Sequence, residues 1–372
     1  MKILMLYADE ATEINCSQWR CIIPAQAINE TGEHEARCFS VWDVSKQDFF
    51  PQIEWADLIV VERLGWGPVA EFIRLFKAMG KKVMLDFDDA YHLMPASVST
   101  HILWRASYTK APEGIDPSEA DGWGTTRGGK RIPLVKKFGH ILTEFRRTLK
   151  DVYAFSTPCE LLTADFANLN PKHYVIKNYP DLTRPEWHTK KKDHGQQVVI
   201  GWGGSATHYE SFRDSGIISA LNQIVRQYPF VRFWICAGGQ ATVELLRLPP
   251  EKLVVVHRQP FREWPLILDH FDIGIAPLAG KYDDRRSWIK VLEYAAKGIP
   301  WIATDAPPYQ GCKGGLLVKN KPKHWYRHFV NLIESHELRS NLSSEGHKWA
   351  RMQSIDDHIG ERLEIYQRIL EG

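Results

Sequence analysis

The stretch Arg286-Ser287-Trp288-Ile289-Lys290-Val291-Leu292-Glu293-Tyr294-Ala295-Ala296-Lys297-Gly298-Ile299-Pro300, running on into Trp301-Ile302-Ala303-Thr304, decides how this chain folds. It reads as a helix that stops at Gly298-Ile299-Pro300, where glycine takes the left-handed cap and proline cannot continue. A short apolar strand follows. At about 100° per residue, Ile289, Leu292, Ala295 and Ala296 share the side that packs on a sheet. Arg286, Lys290, Glu293 and Lys297 share the other, as a narrow charged stripe. Taken alone, such a stripe is a solvated face, with Glu293 and Lys297 an ordinary i,i+4 pair.

Its position argues otherwise. Asp272–Pro277 reads as a strand, Leu278–Arg285 as a polar loop, and the helix begins directly after it. In an open α/β sheet, ligands bind beyond the carboxyl ends of the strands, where helix N-termini point. Cations at Arg286 and Lys290 oppose the helix dipole there. A bound phosphate satisfies both the dipole and the cations, and Glu293, one turn deeper, then faces a pair of sugar hydroxyls.

The rest of the chain fits this frame. Its 372 residues allow two domains, each with its own core. Hydrophobic content of 44% with 25% charged residues is that of a soluble globular protein. A net charge of +2 demands neither nucleic acid nor membrane. The six cysteines have no zinc-ribbon or CxxC spacing, so reduced thiols and a cytoplasmic location are expected. Met1–Tyr7 is too short for a signal peptide, and no run approaches a membrane span. The 14 tryptophans suit a carbohydrate-facing cleft but serve packing equally well.

In the first half, Lys2–Tyr7, Leu58–Glu62, Lys82–Asp86, Ala154–Ser156 and Tyr174–Lys177 read as strands, with helices over Arg20–Ile28, Val69–Met79 and Cys159–Leu169. This alternation implies a parallel sheet. Arg20 is either a surface residue or an anion contact on the acceptor side. Asp86-Phe87-Asp88-Asp89 closes a strand. An Asp-x-Asp there can hold Mg²⁺ or Mn²⁺ against a diphosphate, but the phosphate-binding features lie in the other half. The metal-free reading is preferred: carboxylates facing the cleft, with Asp89 on the acceptor side. Residues 92–133 are too long for a plain connection and are assigned to the acceptor. The basic positions from Arg127 to Lys137, with Arg146, Arg147 and Lys150, read first as a solvated face and second as contacts to an anionic acceptor.

Leu182–Gln197 is polar and unpatterned and reads as the linker, so that residues 1–181 form one domain and 198–355 the other, with 356–372 a terminal helix packing back on the first. Val198–Trp202 runs into Gly203-Gly204-Ser205-Ala206-Thr207-His208 and a helix to about Arg226. A glycine-rich turn between strand and helix lets backbone N–H groups approach a phosphate. Strands at Val231–Ala237, Leu253–Val256, Ile273–Pro277, Trp301–Thr304 and Leu316–Val318, with a helix over Arg262–His270, complete a Rossmann-like unit. Helices follow from Lys323.

Three motifs together resemble the GT-B glycosyltransferases of the family 4 type. Ile200 to His208 resembles that family's first motif in its second domain. Asn178-Tyr179-Pro180-Asp181 resembles the Pro-Asn-x-(Val/Ile)-Asp before its hinge, with Lys177 where the proline stands. Ser287-x-x-Lys290-x-x-Glu293-Tyr294-Ala295-Ala296-Lys297-Gly298-Ile299-Pro300 resembles its donor-binding helix. The resemblance implies an α/β chain of two Rossmann-like domains facing each other across a cleft. It implies retaining, metal-independent transfer of a hexosyl or pentosyl group from a nucleotide-diphosphate sugar, a UDP-sugar first of all, with no cofactor. Catalytic roles fall to Asp88, His92, Arg286 and Lys290. The donor falls to Gly203, Gly204, Ser205, His208, Arg258, Asp284, Ser287 and Glu293, with Glu293 on the ribose. The family's earlier glutamate is Arg285 here, which leaves Asp283 or Asp284 to meet the donor sugar.

Two other functions share the fold. A nucleotide-sugar 2-epimerase needs carboxylates and histidines for proton abstraction, which Asp88, Asp89, His92 and His208 could supply. A nucleotide-sugar-binding module without turnover is the non-enzymatic alternative. The acceptor is open among glycan, lipid, protein, small molecule and modified DNA base, and so is the oligomeric state.

Overall fold

The computed structural model describes residues 1–46, 49–98, 104, 108–110, 114, 116, 118, 122–125, 129–136 and 141–372. Arg127, Gly128 and Lys137 of the basic tract lie outside the described residues, as does much of the 92–133 segment.

Two parallel six-stranded sheets carry the molecule. The first has the order β2-β1-β3-β4-β8-β9, from Glu35–Ser40, Lys2–Tyr7, Leu58–Glu62, Lys82–Asp86, Ala154–Thr157 and His173–Val175. Side chains alternate across a strand, and β1 obeys this strictly. Leu4 and Leu6 enter one core with Ile59, Val61 and Phe155. Ile3 and Met5 enter the other with Leu58, Val60 and Met84. That second core is closed by the terminal helix Ile355–Glu371 through Ile355, Ile359, Tyr366 and Ile369. Lys82 holds the helix end, its Nζ donating to the carbonyls of Ile369 at 2.8 Å and Leu370 at 2.7 Å.

The second sheet has the order β12-β11-β10-β13-β14-β15, from Leu253–Val256, Val231–Cys236, Val198–Gly203, Ile273–Ala276, Trp301–Thr304 and Gly315–Val318. Counted within this half, that is 3-2-1-4-5-6, the dinucleotide-binding order. Its topological switch falls between β10 and β13, where ligands bind. A third, antiparallel sheet of order β5-β7-β6 forms from Tyr108–Lys110, Arg131–Lys136 and Gly122–Thr125. Among the described residues, no helix is long and apolar enough to cross a membrane.

Several expectations need correction. Strand β2 and the antiparallel sheet carry no strong alternation and are absent from the sequence reading. The helix expected over Arg20–Ile28 is a π-helical turn, Gln18–Ile22, followed by Ile23–Glu30. The helix expected to run to Arg226 breaks at Gly216, which is left-handed at φ +81°, between Tyr209–Asp214 and Ile217–Gln227. The opening helix spans only Ile289–Ala296, leaving Arg286 and Ser287 in the turn before it. Its end does use Gly298 at φ +63°.

Candidate functional site

The loops after β10 and β11 are glycine turns because side chains would collide there. A Cβ on Gly203 would lie 2.1 Å from the Trp264 ring, and one on Gly204 2.7 Å from Trp202 and 3.2 Å from Lys290 Nζ. Gly239 sits at φ +77°, and a Cβ on it would lie 3.0 Å from that of Ala206. The two bare turns and the helix Ile289–Ala296 enclose a cavity of about 560 Å³. Gly203, Gly204, Ser205, Arg258, Lys290 and Glu293 all line it, joined across the cleft by Ile14 and Trp19 of the first half.

The charged stripe is not a solvated face. Glu293 is only 5% exposed. Lys290 Nζ donates to the Gly203 carbonyl and lies 5.0 Å from the Trp202 ring centroid. Burial pushes the Glu293 carboxyl up to about 8 and the Lys290 ammonium down to about 8. Each is partly held back by the other's charge. Lys297 does not pair with Glu293, because its Nζ meets buried Asp269 at 2.5 Å.

Arg286 lies in the turn between two short helices. Its Nε donates to Asp283 Oδ1 at 2.7 Å, and its Nη2 donates to the Thr207 carbonyl and hydroxyl at 3.0 Å each. The guanidinium sits 4.8 Å from the Tyr282 ring centroid and 3.8 Å from Asp89 of the first half. Burial opposes its charge, but Tyr282, Asp283 and Asp89 outweigh burial and hold its pKa above the ordinary arginine value. His208 is 6% exposed, edge-on to Trp202, with Nδ1 3.2 Å from Ser211 Oγ. Burial and the charges of Arg286 and Lys290 hold its pKa well below the usual histidine value.

Across the cleft, Cys16, Asp88 and Asp89 bring potential ligand atoms within 4.8 Å of one another. This grouping could hold a metal ion. Burial, then Asp89, pushes the Asp88 carboxyl up to about 7. Asp86 does not join it through the oxygen that pairs with Arg20, whose Nη2 is 2.7 Å away in a fully buried contact.

Arg20 is therefore not an acceptor contact. Its side chain is fully buried, donating to Asp86, Ile176 and Asn178. His92 is drawn away from the Asp88 carboxyl as well. Its Nε2 lies 3.1 Å from Asp165, which also takes a bidentate pair from Arg285. Arg285 thus forms a clasp between the two halves. Arg258 makes a second clasp, with Glu13 at 2.7 Å and the Ile14 carbonyl at 3.2 Å. Ser287 is not part of the cavity lining, and its hydroxyl takes the Ile289 N–H at 3.2 Å. Asp284 is half-buried and lines a different, smaller hollow with Lys177 and Trp288.

Sequence reasoning missed Ser211, Tyr282, Asp165, Ile14 and Trp19. Their partners are 72 to 193 residues away for Ser211–Asp283 and Tyr282–Asp89, so no spacing reveals them. Asp283, expected with Asp284 at the donor sugar, is 2% exposed and is bonded to Arg286 and Ser211.

No family model and no curated protein sequence matches the chain. Solved structures do. Sucrose-phosphate synthase from Thermosynechococcus elongatus superposes over 100% of this chain and 99% of its own, at TM-score 0.64 and 11% identity. The catalytic domain of starch synthase IV from Arabidopsis thaliana, bound to ADP and acarbose, does so over 100% and 99%, at TM-score 0.60 and 8% identity. A Listeria monocytogenes protein provisionally assigned as a UDP-N-acetylglucosamine 2-epimerase covers 97% and 94%, at TM-score 0.50 and 11% identity. Two parallel Rossmann-like sheets, a cleft between them and this set of structural neighbours identify the chain as having the GT-B fold.

Proposed function

We propose that the protein is a glycosyltransferase that takes a sugar from a nucleotide-diphosphate donor, a UDP-sugar first of all, bound in the second-half cavity. The observation that carries this reading is the half-buried Lys290 ammonium beside the buried Glu293 carboxyl, both lining the cavity at the bare Gly203-Gly204 turn. An empty cavity gains nothing from a desolvated ammonium and carboxyl, whereas a diphosphate and a ribose answer both. The Gly203-Gly204 backbone approaches the phosphates, Lys290 stabilises the diphosphate as it departs, and Glu293 accepts from the ribose hydroxyls. Arg286 adds a fixed cation at the cleft, where Asp89 faces it from the acceptor side.

Stabilising a departing diphosphate by fixed cations and backbone dipoles is the physical core of the reaction. In this reading the step is retaining and uses no metal. In the same reading Asp88, whose carboxyl is pushed up to about 7 by burial and then by Asp89, exchanges a proton with an acceptor hydroxyl near neutral pH. The epimerase reading is kept in view by the Listeria neighbour. Incubation with UDP-, ADP- and GDP-glucose and with UDP-N-acetylglucosamine separates the readings. Release of free nucleotide with loss of the sugar supports transfer or its hydrolytic side reaction, and an epimerised nucleotide sugar supports the alternative. Binding without either product leaves a nucleotide-sugar-binding module.

A further inference from the structure

Asp283 sits at the centre of a closed hydrogen-bond network. It is 2% exposed. Its Oδ1 accepts from Arg286 Nε at 2.7 Å, and its Oδ2 accepts from the Ala279 N–H at 2.8 Å and the Ser211 hydroxyl at 2.6 Å. A carboxylate offers lone pairs and no hydrogen, so the one hydrogen of Ser211 is committed to it. Ser211 Oγ can then meet His208 Nδ1, 3.2 Å away, only as an acceptor. The imidazole must carry its proton on Nδ1. That leaves Nε2 bare, without a hydrogen-bond partner among the described residues and not sealed from solvent.

We propose that Asp283, acting through Ser211, locks His208 in its Nδ1–H form, so that Nε2 presents a hydrogen-bond acceptor to a hydroxyl or amide N–H of the donor's sugar. The neighbouring cations, Arg286 and Lys290, suit phosphate oxygens. A bare Nε2 does not, since a phosphate oxygen would set lone pair against lone pair. Only a group with a hydrogen to give completes the site. His208 is thereby a specificity-determining residue for the sugar, and Asp283 and Ser211 are its positioning residues. The identity of the ligand rests on the transferase reading, whereas the tautomer does not.

The test is long-range ¹H–¹⁵N NMR of the full chain labelled at histidine, at pH 7. The His208 signals are assigned by their disappearance in His208→Gln. In the ligand-free protein, Nδ1 is expected in the protonated range and Nε2 in the unprotonated range, and Ser211→Ala is expected to lose this single form. An Nε2–H tautomer, an imidazolium, or an unchanged single tautomer in Ser211→Ala overturns the proposal. UDP-glucose is then expected to shift the Nε2 signal more than UDP does, and equal shifts overturn the assignment to the sugar. If neither nucleotide binds and no nucleotide sugar is turned over, the transferase reading fails, while the ligand-free spectrum still decides the tautomer.

Discussion

Replacing Lys290 with methionine separates a ligand-binding cation from a structural one, because the two roles give opposite signs. Methionine keeps the apolar stem and removes the ammonium. Burial lowers the Lys290 pKa from the ordinary 10.5 to about 8. A folded-state pKa below the unfolded value means that the charged form is disfavoured by folding. The penalty is full below pH 8 and is relieved as pH rises towards 10.5. At 1.36 kcal/mol per unit it reaches about 3 kcal/mol, set against the loss of one hydrogen bond to Gly203, worth about 1 kcal/mol. Lys290→Met should therefore raise the melting temperature at pH 7 by several degrees. The same change removes the charge that stabilises the leaving diphosphate, and turnover should fall on the order of a hundredfold or more. Glu293→Ala, by contrast, removes contacts made equally in ground and transition states, and chiefly raises the donor KM. Differential scanning fluorimetry and initial rates of nucleotide release measure both effects. A lower melting temperature with near-normal rates would show Lys290 to be a structural residue and sink the reasoning.

Three further outcomes follow from the site. Donor turnover in excess EDTA should be nearly unchanged, and complete loss restored by Mn²⁺ would move the Cys16, Asp88 and Asp89 grouping to the centre of the chemistry. The Asp88 carboxyl has a folded-state pKa near 7, above the ordinary 3.8, so its protonated form is favoured by folding and stability is lost as pH rises from about 4 to about 7. Asp88→Asn should accordingly raise the melting temperature more at pH 8 than at pH 4, and an equal change at both would remove the claim. Donor affinity should weaken as pH rises past about 8, where the Lys290–Glu293 pair gives up its protons and its net positive charge, and a flat titration of donor KM to pH 10 would contradict the role of Lys290.

The second half was the legible one. Its inner strands β10, β13 and β14 are buried throughout and read as apolar runs, and Gly203-Gly204 and Gly298 announce turns that only glycine fits. That Lys290 and Glu293 share one cavity was legible too, because they lie one turn apart on one helix and their spacing alone brings them together. What lay hidden depends on distant partners. Arg20 looks like a surface cation in sequence, but Asp86, 66 residues away, takes it into the core. His92 looks like an acid–base partner for Asp88, but Asp165 holds it. The helix start was misplaced because Arg286 has the right periodicity, although Asp283 and Thr207 hold it in the preceding turn. Strand β2 was missed because Glu35, Arg37 and Ser40 break its apolar pattern at a sheet edge, where one side faces water.

Isothermal titration of the protein with UDP in EDTA-containing buffer tests the central claim most directly, with ADP and GDP titrated alongside. The account predicts binding of one nucleoside diphosphate per chain, lost or strongly weakened in both Lys290→Met and Glu293→Ala. Failure of all three nucleotides to bind, or binding that neither substitution affects, would contradict the assignment of the cavity between the Gly203-Gly204 turn and the helix Ile289–Ala296 to a nucleotide-sugar donor.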